Sequence, residues 1–173
     1  MVATRPAEFH IQRSIVVLAP PASVFAQVND LHAWAGWSPW EKLDPKMEKR
    51  HGGPPAGEGA TYAWKSEIGK VGQGRMTIAK SEAPALVLVT LEFIKPFVAT
   101  NTITFTFEGT AEGTKVTWAM DGRNGFMGKV FALLMNMDRI VGGDFERGLA
   151  GLKSVAEAAS KHNAAVAGGS MDR

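Results

Sequence analysis

Val141-Gly142-Gly143-Asp144-Phe145-Glu146-Arg147-Gly148-Leu149-Ala150-Gly151-Leu152-Lys153-Ser154-Val155-Ala156-Glu157-Ala158-Ala159 decides the fold. Within it Val141, Phe145, Gly148, Leu149, Leu152, Val155, Ala156 and Ala159 fall at i, i+4, i+7, i+8, i+11, i+14, i+15 and i+18. That spacing keeps one side of a 3.6-residue helix apolar for about five turns. A helix of this kind must lie on a broad apolar surface, and the rest of the chain has to supply it. Phe126 to Met137 adds a further apolar helical piece just ahead. His162 to Arg173 loses the period and reads as a disordered tail, so residues 1–161 are expected to form a single domain.

The surface comes from the strands upstream. Ile103, Phe105 and Phe107 alternate with Thr102, Thr104 and Thr106, and Val116, Trp118 and Met120 alternate with Thr117 and Ala119. One apolar and one threonine-rich face describe a sheet covered on one side. Strands are also expected at Ala60–Ser66, Val71–Ala79, Leu86–Phe93, Ala99–Glu108 and Lys115–Asp121, with a short one near Glu48–His51 inside a charged, Gly- and Pro-rich loop. Leu86 to Leu91 is apolar on both faces apart from Thr90, which suits a strand covered twice or near a partner. The turns between strands are too short for parallel crossovers, so neighbours run antiparallel. At the N-terminus Phe9–Leu18 ends in a β-branched run. Pro20-Pro21 stops it and opens a short helix carrying Val24, Phe25 and Val28. Asp30 is placed to cap a second short helix over Leu31–Gly36, ended by Ser38-Pro39. The expected class is α+β: a curved antiparallel sheet wrapped around a long C-terminal helix, with two short helices after the first strand.

Composition excludes several functions. In 173 residues there is no cysteine, so disulfides, thiolate metal sites and cysteine nucleophiles are ruled out. The formal net charge is +2 and the Lys and Arg residues are scattered, which argues against nucleic acid as a partner. Ile15 to Leu18, the first apolar stretch, is too short for a signal core or membrane span. No stable membrane insertion is expected, and the default location is cytoplasmic. Gly72-Gln73-Gly74 is neither a dinucleotide fingerprint nor a P-loop, so no cofactor is expected.

The order of elements resembles the START-like (SRPBCC) superfamily with its helix-grip fold. The segments Trp37-Ser38-Pro39-Trp40, Gly59-Ala60-Thr61-Tyr62-Ala63-Trp64, Gly72-Gln73-Gly74-Arg75-Met76-Thr77-Ile78, Leu91-Glu92-Phe93-Ile94-Lys95-Pro96-Phe97 and Gly113-Thr114-Lys115-Val116-Thr117-Trp118 resemble its bacterial polyketide cyclase/dehydrase-like branch. The resemblance spans about Phe9 to Ala159. It implies a space between sheet and long helix that holds a lipid, polyketide or other hydrophobic molecule.

Several individual residues admit plainer roles. Gly72, Gly74, Met76 and Ile78 share one strand face, and two inner glycines mark either strong curvature or close approach to the backbone, with curvature the commoner cause. Trp37 and Trp118 read as core. Met127, Met135 and Met137 read as core or as a pliable lid. The four histidines, His10, His32, His51 and His162, have no metal-ligand spacing and read as isolated surface residues. Glu41 and Asp44 read as a solvated loop rather than a desolvated acid pair. Glu92 and Asp121 become general-base candidates only if they face inward, where burial raises a carboxyl pKa. Arg123 suits either an anionic head group or an ordinary loop charge. No Ser-His-Asp set can be assembled, so the catalytic residues are unknown.

Three functions compete. Binding or transport of a small hydrophobic ligand ranks first, with Tyr62, Trp64, Met76, Phe105, Met120, Phe131, Met135, Phe145 and Leu149 as the expected wall. A cyclase or dehydrase-type enzyme ranks second, and a protein-interaction module using the sheet surface third. Sequence does not name the ligand or the oligomeric state.

Overall fold

The computed structural model describes residues 7–96, 98–124 and 137–169. Chain order is β1 (Ala7–Val17), α1 (Pro21–Asn29), two 3-10 turns (Ala33–Gly36 and Pro39–Lys42), β2 (Glu48–Gly52), β3 (Thr61–Lys65), β4 (Gln73–Glu82), β5 (Leu86–Lys95), β6 (Ala99–Gly109), β7 (Thr114–Asn124) and α2 (Met137–Gly169). The strands form one seven-stranded sheet in the order β1-β7-β6-β5-β4-β3-β2, with every neighbouring pair antiparallel. The first and last strands of the sequence therefore pair, Ile11 opposite Met120, and β2 is left at the far edge.

Alternation sorts the sheet as expected. Ile11, Tyr62, Met76, Ile78, Val87, Val89, Leu91, Ile103, Phe105, Phe107, Val116, Trp118 and Met120 are all buried on the inner face. The α2 stripe closes over them through Phe145, Leu149, Leu152 and Ala156, and α1 adds Val24, Phe25 and Val28. Full burial of a side chain of this size stabilises by about 1.5–3 kcal/mol, so this layer carries the fold. On the outer face Leu86 and Leu88 are only half-buried, so β5 is covered once, not twice.

Local chemistry departs from expectation in three places. The second short helix expected over Leu31–Gly36 is a 3-10 turn over Ala33–Gly36, and a further 3-10 turn follows it. Asp30 accepts from the His32 backbone N–H at 2.9 Å, but the turn itself starts later, at Ala33. Pro39 does not merely end that stretch; it starts the second turn. At the C-terminus α2 continues to Gly169, with residues 161–169 exposed, where the sequence suggested a tail. The apolar period reports burial, whereas the alanines between His162 and Gly169 favour helix without it. The Phe126–Met137 helical piece lies outside the described residues, except for Met137 in the first turn of α2.

Gly74 shows what the inner glycines do. A Cβ there would sit 2.5 Å from the Glu92 carbonyl and 2.5 Å from the Trp64 ring. The bare backbone lets an indole lie flat against the strand, and the register shifts between Gln73 and Gly74. Close approach operates here together with a bulge.

Candidate functional site

Trp118 divides the interior. Toward α1 and the middle of α2, the Trp34, Trp37, Phe105 and Phe145 rings pack around it with centroids 4.2–6.3 Å away. Trp34 and Trp37 satisfy their indole N–H groups on the Val28 and Gln27 carbonyls. Toward the first turns of α2 the helix and sheet separate and leave a cavity of about 250 Å³.

Its floor is the inner sheet face: Tyr62 and Trp64 from β3, Met76 from β4, Leu91 and Phe93 from β5, Ile103 from β6 and Met120 from β7. Trp40 from the second 3-10 turn, Leu43 and Met47 just after it, Val71 from the β3–β4 turn and Val141 from α2 form the remaining apolar wall. Trp64 is fixed by its N–H donating to the Val71 carbonyl at 3.1 Å and by edge-to-face contact with Phe93. Polar groups are few: Ser38, Glu41, Lys70 and Asp144.

Four residues expected at a ligand wall, Tyr62, Trp64, Met76 and Met120, border this cavity. Phe105, Phe145 and Leu149 do not; they lie in the packed layer around Trp118, fully buried. Phe131 and Met135 lie outside the described residues. Trp40, Leu91, Phe93 and Ile103 were missed as wall residues. The alternation of β5 and β6 placed the last three on the inner face, and Trp40 belonged to the Trp34-Trp37-Trp40 series, so the signal was there without the distance along the helix.

The Glu41–Asp44 segment beside the cavity is more structured than a solvated loop. Glu41 is 9% exposed and ion-pairs with Lys49. Asp44 is buried, accepting from Ser66 Oγ at 2.5 Å and from the Lys46 backbone N–H at 2.9 Å. Those two hydrogen bonds, Ser66 first, hold its carboxyl below the ordinary range. Tyr62 is 4% exposed, and its hydroxyl is buried with no hydrogen bond of ordinary geometry to any described residue. Burial first, and the hydroxyl's approach to the Glu41 carboxylate, at less than full hydrogen-bond geometry, second, push its phenol above the usual pKa.

The other acidic candidates face away. Glu92 pairs with Arg75 at 2.8 Å and Asp121 with His10 at 2.5 Å, both on the outer face of the sheet. Arg123 is exposed near Glu8 at 3.7 Å. An open groove of about 510 Å³ on the outer face is lined largely by such charged side chains, Glu48, Arg50, Lys65, Arg75 and Glu92 among them. The histidines are not all isolated. His32 and His51 stack with ring centroids 3.9 Å apart, and His51 lies 5.0 Å from Tyr62. Among the described residues no group of three His, Cys, Asp or Glu is placed to hold a metal ion, and no helix is long and apolar enough to cross a membrane.

A family model described as polyketide cyclase / dehydrase and lipid transport matches residues 8–157. No curated protein matches the chain. Among solved structures, a protein of unknown function from Staphylococcus aureus is similar with a TM-score of 0.67 at 13% identity, over 90% of this chain and 98% of that one. The di-domain ARO/CYC protein StfQ from the steffimycin biosynthetic pathway gives 0.63 at 10% identity, over 91% of this chain and 52% of its own. DynU16, from the dynemicin biosynthetic locus, gives 0.57 at 18% identity, over 87% and 48%. At these identities the likeness is one of fold.

Proposed function

Because the chain belongs to the polyketide cyclase/dehydrase and lipid transport family, we propose that it binds a small apolar molecule in the cavity beneath the first turns of α2. The observation that carries this reading is the cavity itself. It is walled by Trp40, Tyr62, Trp64 and Phe93 and softened by Met47, Met76 and Met120. Methionine adapts to irregular shapes and aromatic faces offer flat contact. Ligand sites of this type are mostly apolar, with a few polar groups fixing orientation.

Size narrows the class. At about 250 Å³ the cavity is a little below the ~300–1,000 Å³ of ordinary ligand sites. A molecule of one or two rings, or a short branched chain, is the class this volume favours. Titrating a graded series from one-ring to four-ring aromatics, with tryptophan emission and thermal shift as readouts, tests the reading. The small members should bind, at about micromolar affinity or −8 kcal/mol for a good fit. Absence of any response across the series, or a response that is unchanged in Met76→Asp, would overturn it.

A cyclase- or dehydrase-type activity is the second reading, favoured by one observation: the Tyr62 hydroxyl and the Glu41 carboxylate lie together at the polar end of the cavity. A phenol kept protonated is a hydrogen-bond donor toward a carbonyl oxygen. Recovery of chemically altered ligand from wild type, and of intact ligand from Tyr62→Phe, would move this reading ahead.

A further inference from the structure

Exposed aliphatic side chains are concentrated around the mouth of the cavity. Leu43, just after the second 3-10 turn, Ile68, Val98 and Ile140 are 44–85% exposed at the end of the sheet where β3 turns into β4, β5 into β6, and α2 begins, and Ile94, 50% exposed, lies at the same end on the outer face. These segments adjoin one another. Asp44 is bonded to Ser66, at the foot of the turn that carries Ile68. The same turn closes on the Ile68 carbonyl through Val71 and Gly72, and a Cβ on Gly72 would sit 2.1 Å from the Lys95 carbonyl, so it abuts the β5–β6 turn. Leu43 and Lys70 are exposed and also line the cavity, which therefore opens at this rim.

Charge is uneven along the same axis. The rim carries Lys42, Lys46, Lys65, Lys70 and Lys95, all exposed, and none has an acidic partner within 4.0 Å among the described residues. The exposed acids beside them are Glu67, in the β3–β4 turn, and Glu48, opposite Lys65 at the start of β2, so the five lysines still outnumber their acidic neighbours. At the opposite end Glu58, Glu82, Glu108 and Glu112 outweigh Lys80 and Lys115, and Lys80 is already paired with Glu82. A net charge of +2 hides this separation.

We propose that this rim docks peripherally on an anionic lipid bilayer, with the cavity mouth facing the membrane. The chemistry favours a bilayer over a protein partner. The centres of protein interfaces are enriched in aromatic residues and arginine and depleted in lysine. Here the exposed apolar groups are aliphatic, they project singly from separate turns, and lysines surround them. Aliphatic tips that enter the headgroup region and lysines that meet anionic headgroups are the two components of interfacial membrane binding. The docking goes beyond the ligand reading and does not require an occupied cavity, although an apolar ligand would exchange most readily through a mouth pressed to lipid.

Co-sedimentation of the whole protein with phosphatidylglycerol/phosphatidylcholine vesicles, against phosphatidylcholine alone, tests it at about 0.1 M salt, where the screening length is ~10 Å. Preferential binding to the anionic vesicles, weakened at high salt, is expected. Lys70→Glu with Lys95→Glu should weaken it by at least about fivefold per lysine, and Ile68→Asp with Val98→Asp should do the same at unchanged charge-independent readouts such as thermal midpoint. Met76→Asp, designed to close the cavity to apolar ligands, should leave sedimentation intact, so failure of the ligand reading and failure of docking are separable. No binding to either vesicle, equal binding by the rim variants, or self-association of the protein through Ile68 and Val98 in solution would each overturn the proposal.

Discussion

The Trp118 indole and the Phe145 ring stack 4.2 Å apart and 11° from parallel, one on the inner face of β7 and the other on the buried stripe of α2. Contact this close is possible because the next turn of the helix presents Gly148, where a Cβ would lie 2.6 Å from the Trp118 ring and 3.2 Å from Pro39. Helix and sheet are thus in contact at this level and part toward Val141, where the cavity begins.

Gly148→Ala should therefore destabilise the protein, although alanine is the better helix former. Overpacking costs about 1–3 kcal/mol, against a gain of ~1 kcal/mol from propensity. Gly143→Ala, in the same helix, meets only the Arg147 side chain at 3.8 Å and should stabilise by about 0.5–1 kcal/mol. Urea midpoints of the two variants should move in opposite directions. Movement in the same direction would show that the Trp118 ring yields to the added methyl.

Leu152 is fully buried on the stripe two turns beyond Phe145. Leu152→Ala should lower stability by about 2–5 kcal/mol, because the layer under the helix is packed and cannot refill the space. An unchanged denaturation midpoint would mean that this part of α2 does not carry the fold.

Two histidines should give opposite pH responses. Burial first, then the facing His32 charge, lower the His51 pKa, opposed by the Leu31 backbone, Glu41 and Asp30. The unfolded chain therefore takes up the proton first, and stability falls as pH drops below the unfolded value of 6.5 toward the lowered folded one. His10 is raised, by hydrogen bonds to Asp121 and then Gln12. Its contribution is complete below 6.5 and is lost as pH rises through the folded value. Relative to wild type, His51→Gln should gain stability on acidification from pH 7 to 5.5, and His10→Gln should lose it. Parallel profiles for all three proteins would show that neither ring is coupled to folding.

What was legible in the sequence was periodic. Met76 and Ile78 were placed on the inner face by alternation, and Phe145, Leu149 and Leu152 on the inner stripe by their helical spacing. Period assigns a face but not the gap behind it, so Phe105, Phe145 and Leu149 were placed at a ligand wall when they pack directly against or beside Trp118. Loop positions were harder still. Asp44 is buried by a hydroxyl 22 residues away, and His51 stacks on a histidine delivered by the chain after α1. Neither partner lies at a local spacing that a sequence window registers. Membrane-facing charge was invisible for the same reason: Lys42, Lys65, Lys70 and Lys95 are scattered along the chain and gathered only by the antiparallel turns.

The Tyr62 hydroxyl separates recognition from stability. It is buried without a hydrogen bond of ordinary geometry among the described residues, on a side chain that lines the cavity beside Glu41. Removing an unsatisfied polar atom while keeping the ring leaves the packing with His51 and Trp64 in place, so Tyr62→Phe should unfold at the same midpoint as wild type or a higher one. If the hydroxyl donates to a bound carbonyl, wild type should prefer a one-ring ketone over the hydrocarbon of the same shape by about 0.5–1.5 kcal/mol, the net worth of one hydrogen bond. Tyr62→Phe should bind the two alike. Paired calorimetric titrations of both ligands against both proteins give the difference directly. A preference that persists in Tyr62→Phe would assign polar recognition to Ser38 or Lys70 instead, and a clear loss of stability in the variant would show that the hydroxyl is already satisfied in the folded protein.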